Sequence, residues 1–150
     1  MENVVVSNFM LALDRITKNT KRVIDSVLKD HGLRSTHASC FFRICEFPDG
    51  LSSTQLARAC GVDKAFISRI TAELIEGDYI IKDPDTKGII YKRKYILTEK
   101  GKAVYKALTD ALTGIIAEVN HEIPAEKLAI FDEVLNSLDK GIIDYLKGGI

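Results

Sequence analysis

Apolar residues recur at helical spacing at both ends of this 150-residue chain. Between residues 5 and 28 they fall three, four or seven positions apart, which predicts a long amphipathic helix followed by a left-handed cap at Gly32. A second stripe follows Pro124, a residue that is tolerated in the first turn of a helix. The two stripes contain Phe9, Leu13, Ile16, Leu128, Phe131, Leu135, Leu138 and Ile142.

Shorter elements are predicted after the first helix. Ser35-Thr36 offers an N-cap for a helix over 36–46, because a side-chain hydroxyl can accept a hydrogen bond from the free N–H groups of the first turn. Pro48-Asp49-Gly50 has the chemistry of a turn, since proline pre-sets one dihedral angle and glycine accepts a positive φ.

Two closely spaced helices are predicted next. Ser52 and Gln55 have the spacing of a capping box, which marks a helix start. After a short glycine-containing turn, Asp63 is positioned to cap a further helix, Lys64 to Glu76, which Gly77 terminates. This arrangement is typical of a helix-turn-helix.

The period then changes from helical to extended. Tyr79–Lys82 is apolar and β-branched, and Lys92–Leu97 alternates charged with bulky residues, as a half-exposed strand does. The loop chemistry of Asp83–Gly88 lies between these two predicted strands. Thr98 is predicted to cap a helix that continues to about Glu118. The expected fold class is therefore mainly α with a small β-hairpin: a winged helix-turn-helix with N- and C-terminal dimerisation helices.

The neutral total charge hides an uneven distribution. The chain has 21 basic and 21 acidic side chains, a balance that by itself argues against a protein that coats phosphates. Residues 86–106, however, hold seven basic side chains and one acid (net +6), residues 14–34 hold six and three (net +3), and residues 107–150 hold three and eight (net −5). A charge run is as often a solvated face as a binding surface, so a motif has to decide between them.

The second helix of the pair supplies such a motif. Ile67, Ile70 and Leu74 step by three and four residues and are predicted to point into the core. The other face keeps donors for phosphates and base edges and small apolar groups that can meet a thymine methyl, while the helix N-terminus directs free N–H groups towards a phosphate. The predicted DNA-binding residues of the helix pair are Ser52, Lys64, Ala65, Phe66, Ser68 and Arg69.

The hairpin adds a basic wing. Lys87, Lys92, Arg93 and Lys94 are predicted to follow the DNA backbone or to reach into a minor groove. A winged helix can also serve as a protein-interaction module without DNA binding, and this alternative stays open. The basic wing beside the helix-turn-helix favours DNA.

Residues 51–101 resemble the core of the MarR family of bacterial winged helix-turn-helix transcriptional regulators. The resemblance implies a homodimer whose first and last helices interlock, and two winged helices that read successive half-sites of a pseudo-palindrome. The matching pieces are Leu51-Ser52, Gln55-Leu56-Ala57, Gly61-Val62-Asp63-Lys64, Ser68-Arg69-Ile70, Leu74-Ile75-Glu76-Gly77, Asp83-Pro84-Asp85 and Leu97-Thr98-Glu99-Lys100-Gly101.

Two departures from the family pattern affect the DNA contacts. Asp85-Thr86-Lys87 stands where the family usually has Asp-x-Arg, so either Lys87 or Arg93 is the wing-tip donor. Glu73 occupies a position where a neutral or basic contact is expected, and we interpret it as orienting Arg69, four residues earlier on the same face.

The two terminal stripes also predict dimerisation without the family. A winged helix of this size cannot bury both apolar stripes. Two chains that pack these stripes against each other are a natural solution. Pairing of the two terminal helices within one chain is the alternative. The expected division is a helical dimerisation region, 1–34 and 102–150, and a DNA-binding domain, 35–101.

Sites for an effector are less distinct. The resemblance allows a small-molecule effector, and His37, Phe41 and Arg43, together with Phe42, could line a cleft for a small aromatic anion between the dimerisation region and the winged helix. Core packing is the competing interpretation for each aromatic residue. The histidines are scattered and lack the i, i+4 spacing of a metal site on a helix, so no metal site is predicted.

The cysteines favour inert packing over chemistry. Cys40 and Cys45 lie on different faces of one helix, and the third, Cys60, lies in the next. This odd number without C-x-x-C spacing is typical of a reduced, cytoplasmic protein.

Neither a secretory signal nor a bilayer-spanning run is recognisable. No phosphate loop, nucleophile elbow or zinc motif indicates an enzyme or a cofactor. The sequence therefore predicts a cytoplasmic, sequence-specific DNA-binding regulator, expected to be a ligand-responsive repressor, whose partners are double-stranded DNA and a second copy of itself.

Overall fold

A computed structural model describes residues 2–84 and 94–148 of the chain. The chain divides into two compact units, Met1–Ala111 and Leu112–Ile150. Six α-helices and two strands are present in the described residues: α1 Glu2–Leu28, α2 Ser35–Glu46, α3 Ser53–Cys60, α4 Lys64–Glu76, β1 Ile80–Lys82, β2 Tyr95–Leu97, α5 Glu99–Asn120 and α6 Ala125–Gly148. The predicted fold class, mainly α with a small hairpin, is confirmed.

The ends of the first two helices follow local chemistry. A 3-10 turn, Lys29–His31, extends α1, and Gly32 ends it in the left-handed conformation (φ 67°) as predicted. The predicted Ser35-Thr36 cap of α2 is wrong, because the helix begins at Ser35 itself. Its first turn is held instead by the imidazole of His37, whose Nδ1 accepts from the Arg34 backbone N–H at 3.0 Å.

The helix-turn-helix has the predicted caps. Ser52 Oγ accepts from the Gln55 N–H at 3.3 Å and Gln55 Oε1 accepts from the Ser52 N–H at 2.9 Å, which forms the capping box of α3. Asp63 Oδ1 accepts from the first turn of α4 at 2.7 Å. Gly77 does not end α4 in the left-handed region (φ −77°), and Asp78 takes the positive φ of 60° instead.

The hairpin has a third short strand partner that the sequence did not indicate. β1 and β2 are antiparallel, with Ile80 opposite Leu97 and Lys82 opposite Tyr95. Leu51 bridges to the outer side of β2, where its carbonyl accepts from the Tyr95 N–H at 2.8 Å. The preceding Gly50 has φ +75°, and a Cβ there would lie 2.8 Å from Lys94 Cβ, so the turn requires glycine.

The core of the first unit lies where the helices meet the hairpin. Tyr79 connects these parts: its hydroxyl donates to the His31 carbonyl at 2.9 Å, and its ring packs edge-to-face on Phe41. Thr98 Oγ1 donates to the Asp78 carbonyl at 2.6 Å and accepts from the first turn of α5. The fully buried large side chains are Leu28, His37, Phe41, Leu56, Ile67, Leu74, Ile80, Val104 and Leu108.

The second unit consists of the end of α5 and the whole of α6. The backbone carbonyl of Pro124 accepts from the first turn of α6, as expected for a helix that starts after this proline. No side chain of α6 is buried within the described part of the chain. The apolar stripe of α6 is therefore exposed to solvent along the helix: Phe131 is 55% exposed and Ile142 is 59% exposed.

Candidate nucleic-acid interface

Helix α4 has a buried face and an exposed face. Ile67, Ile70 and Leu74 are at most 3% exposed, so the predicted inward face is confirmed. The outward face consists of Lys64, Ala65, Ser68, Arg69 and Ala72, all exposed, with half-buried Phe66 at its edge. The packed side fixes the helix, and the polar side is left available to a partner.

Arg69 lies against an aromatic ring. Its guanidinium carbon is 5.2 Å from the centroid of Phe66, one turn earlier on α4. This cation–π contact limits the freedom of a long side chain while its donors stay exposed. An arginine that is held this way loses less entropy when it binds a base edge or a phosphate.

The expectation that Glu73 orients Arg69 is wrong. Glu73 Oε2 instead lies 2.8 Å from Nε2 of His37, which is 2% exposed. Because His37 Nδ1 accepts from the Arg34 N–H, its ring proton is on Nε2 and is donated to Glu73. The imidazole thus joins the start of α2 to the flank of α4.

The other predicted DNA contacts fall into three places. Ser52 is half-buried and serves as the N-cap of α3. Lys94 is half-buried at the base of the wing, and its carbonyl accepts from the Asp83 N–H at 2.7 Å. Lys87, Lys92 and Arg93 lie outside the described residues.

One further cation at the hairpin was missed from the sequence. Lys82 on β1 is exposed and places its Nζ 5.9 Å from the centroid of Tyr95 on β2. The cross-strand register brings the two together, and a register cannot be read from the sequence of one strand.

The predicted effector residues are not gathered on one surface. Phe41 is fully buried against Tyr79, and His37 is buried in the link to Glu73. Arg43 is exposed and pairs with Glu46 at 2.8 Å. Of the three residues, Phe41 and His37 are therefore buried, and Arg43 is exposed.

Two cysteines from different helices meet beside a cavity. Cys40 on α2 is 1% exposed, and the half-buried Cys60 at the end of α3 lies near enough for the two thiols to shift each other's pKa. Both line a cavity of about 240 Å³, together with Lys21, Val62 and Phe66 among others. Cys45 lies on another face of α2, so the sequence correctly separated it from Cys40 but gave no signal for the Cys40–Cys60 pair.

The pair has unequal acidity. The hydrogen bond with Cys60, burial and the charge of the neighbouring thiolate all raise the pKa of Cys40. The same hydrogen bond lowers the pKa of Cys60, an effect that partial burial opposes and the nearby Arg43 charge supports. Burial raises the pKa of Cys45, with a smaller opposing effect of Lys102. Cys60 is therefore the thiol that ionises first.

None of the helices in the described residues is long and apolar enough to cross a membrane. Within residues 2–84 and 94–148 there is also no group of three or more histidine, cysteine or acidic side chains that could hold a metal ion.

Comparison with known proteins supports the resemblance. Residues 31–88 match the model of the MarR family. A MarR family transcription regulator of known structure superposes with a TM-score of 0.81 at 18% identity, and the match covers 99% of this chain and 97% of that one. The resemblance to the MarR family is confirmed: this chain has the fold of a MarR family transcription regulator.

Two further similar structures contain small molecules. Staphylococcus aureus MarR in complex with salicylate and kanamycin has a TM-score of 0.81 at 14% identity, and the match covers 94% of each chain. CouR from Rhodococcus jostii RHA1 bound to p-coumaroyl-CoA has a TM-score of 0.72 at 19% identity, with 87% of this chain and 90% of CouR covered.

Proposed function

We propose that this protein is a cytoplasmic, non-enzymatic repressor that binds a pseudo-palindromic DNA operator as a homodimer. The exposed face of α4 supports the proposal most directly. Lys64, Ser68 and Arg69 supply donors on one side of a helix whose other side is locked into the core. Helix α4 would enter the major groove, and the wing would lie over the adjacent minor groove.

Salt-dependent DNA binding is the first test. Fluorescence anisotropy with mixed-sequence duplex should give an affinity that falls steeply with the logarithm of salt concentration, because each neutralised phosphate releases a counterion. Absence of binding even at low salt would overturn the proposal and favour a winged-helix protein-interaction module. Because the total charge is neutral, non-specific affinity should be modest.

Substitutions then separate base contacts from phosphate contacts. Once an operator has been selected from random duplexes, Arg69→Ala should weaken its binding by about 1–3 kcal/mol if the guanidinium reads a base edge. Lys147→Ala, which removes one charge from the exposed last turn of α6, is the matched control. If Arg69→Ala and Lys147→Ala weakened operator binding equally, a specific role for Arg69 would be refuted.

The wing needs its own variant. Replacing Lys92, Arg93 and Lys94 by alanine should weaken binding to all sequences alike and flatten the salt slope, by about one per lost phosphate contact. An unchanged slope would mean that the wing does not touch the duplex.

The uncovered face of α6 supports the homodimer. Phe131, Leu138 and Ile142 follow one side of the helix and are 39–59% exposed in the single chain. Phe9 and Ile16 of α1 are likewise exposed. Apolar stripes of this extent are usually covered by a partner, and a second copy with the same stripes is the partner that we propose.

Light scattering coupled to size exclusion tests the dimer. Leu138→Asp should shift the mass towards the monomer, because it buries a charge in the proposed interface. Lys140→Asp also introduces an aspartate on α6, but on the opposite, polar side, and should leave the mass unchanged. A monomeric wild type would refute the dimer.

We also propose a small aromatic acid as effector. Salicylate, which S. aureus MarR holds together with kanamycin, is such an acid, and the p-coumaroyl-CoA held by CouR carries an aromatic acyl group as a thioester. Salicylate should then weaken operator binding, and Arg43→Ala should reduce that response because it removes the exposed cation among the predicted effector residues. Equal responses of both proteins would exclude Arg43 from the site.

A further inference from the structure

The Cys40–Cys60 pair has the geometry of a reactive dithiol. Cys60 is half-buried and Cys40 is almost completely enclosed, and both line the same cavity. A disulfide requires the two sulfurs to approach to ~2.0 Å. Cys40 on α2 and Cys60 on α3 line the same cavity, so a bond between their sulfurs would join two helices that already pack together.

Their environments assign different tasks to the two thiols. Cys60 ionises more readily than Cys40, because its pKa is lowered by the hydrogen bond of Cys40 and by the charge of Arg43. Cys40 also lines the cavity, but only 1% of its surface is exposed, so the half-buried Cys60 is the more accessible thiol for a solute. A thiolate is the nucleophile in thiol–disulfide exchange, so Cys60 is the attacking group and Cys40 the resolving group.

We propose that Cys60 and Cys40 form a dithiol site that reacts with low-molecular-weight disulfides and closes into an intramolecular disulfide. The cavity beside Cys60, with Lys21 and Phe66 in its lining, gives such a molecule access to the sulfur. The site requires neither DNA nor an effector, so it is independent of the proposed regulatory function.

The chemistry proceeds in two balanced steps. The Cys60 thiolate attacks one sulfur of a disulfide RSSR; its S–S bond breaks, a mixed disulfide forms on Cys60, and the departing thiolate takes a proton from solvent. The Cys40 thiol then loses its proton to solvent and attacks the Cys60 sulfur; the bond between that sulfur and the SR group breaks, and the second thiolate leaves and takes a proton from solvent to give RSH. The two protein thiols are oxidised by two electrons, and RSSR is reduced to two RSH.

The test uses the full-length reduced protein and hydroxyethyl disulfide, without DNA. Samples are quenched with acid during the reaction, free thiols are alkylated, and peptides are mapped by mass spectrometry without reduction. The wild type should give a Cys40–Cys60 crosslinked peptide with little accumulated mixed disulfide. Reaction at Cys60 should be several-fold faster than at Cys45, because the pKa of Cys60 is lowered and that of Cys45 is raised, which gives Cys60 the larger thiolate fraction near neutral pH.

Variants identify each step. Cys40→Ala should stop at the mixed disulfide on Cys60, Cys60→Ala should form neither product, and the matched control Cys45→Ala should behave as the wild type. If Cys40→Ala fails to fold, the wild-type time course tests the proposal by itself, through the amounts of crosslinked peptide and of mixed disulfide. A stable mixed disulfide on wild-type Cys60, a crosslink to Cys45, or equal rates at Cys60 and Cys45 would overturn the proposal.

Discussion

The buried His37 ring should be a measurable source of stability, because it satisfies polar groups of two helices at once. Its Nδ1 accepts from the Arg34 N–H at 3.0 Å, and its Nε2–H donates to Glu73 at 2.8 Å. Two substitutions separate these bonds. Glu73→Ala removes only the second acceptor, whereas His37→Phe keeps an aromatic ring and removes both bonds.

The structure sets the order of the two effects. A buried polar group that loses its partner costs about 1–3 kcal/mol. The Glu73 side chain is 43% exposed, so water can replace it, and we expect Glu73→Ala to cost about 1 kcal/mol, near the low end of that range. His37 is 2% exposed, and its loss leaves the Arg34 N–H without its acceptor; we expect about 2–3 kcal/mol from the same range.

Urea unfolding followed by circular dichroism, at one fixed protein concentration, measures these differences. Glu73→Gln keeps an oxygen acceptor and should stay near the wild type, and Glu76→Ala is the control for an exposed carboxylate on the same helix. The double variant of His37 and Glu73 should be about 1 kcal/mol less destabilised than the sum of the single variants. Equal urea midpoints for Glu73→Ala and Glu73→Gln, or strict additivity, would refute the reasoning.

Three other predictions concern caps, turns and thiols. Asp63→Ala should lower the free energy of unfolding by about 1 kcal/mol through loss of the α4 cap, whereas Asp63→Asn should retain most of it; thermal unfolding compares them, and equal losses would contradict the cap's role. Gly50→Ala should destabilise more than Gly32→Ala, because both have positive φ but only position 50 also has a backbone carbonyl within 2.9 Å of the new Cβ; the difference in urea midpoint checks it, and the reverse order would contradict it. Because its pKa is lowered and that of Cys45 is raised, Cys60 should keep its iodoacetamide reactivity at a lower pH than Cys45; coincident pH profiles would contradict the assignment.

Local signals predicted the elements of this fold well. The Ser52–Gln55 capping box and the Asp63 cap each depend on residues three positions apart, so the sequence contains the whole interaction. The inward face of α4 follows from the spacing of Ile67, Ile70 and Leu74 in the same way. The cap of α2 was predicted wrongly, because its partner is an imidazole rather than the expected hydroxyl.

Long-range pairings were not predictable. His37 meets Glu73, 36 residues later, and Cys40 meets Cys60 through the packing of α2 on α3. Neither pair has a spacing that signals contact, because tertiary packing alone brings them together. On its own helix, Arg69 is the basic residue at pairing distance from Glu73, whereas the true partner, His37, lies on another helix.

Two tyrosines that are buried in the described part of the chain have an optical consequence. The chain has no tryptophan and five tyrosines, of which Tyr79 and Tyr95 are 4% and 5% exposed. Tyr79 is held by His31 and Phe41, and the Tyr95 hydroxyl accepts from Thr71 at 3.3 Å. Such fixed, asymmetric surroundings give tyrosine a near-ultraviolet circular dichroism signal, so this band will report the tertiary packing of the winged helix without any added label.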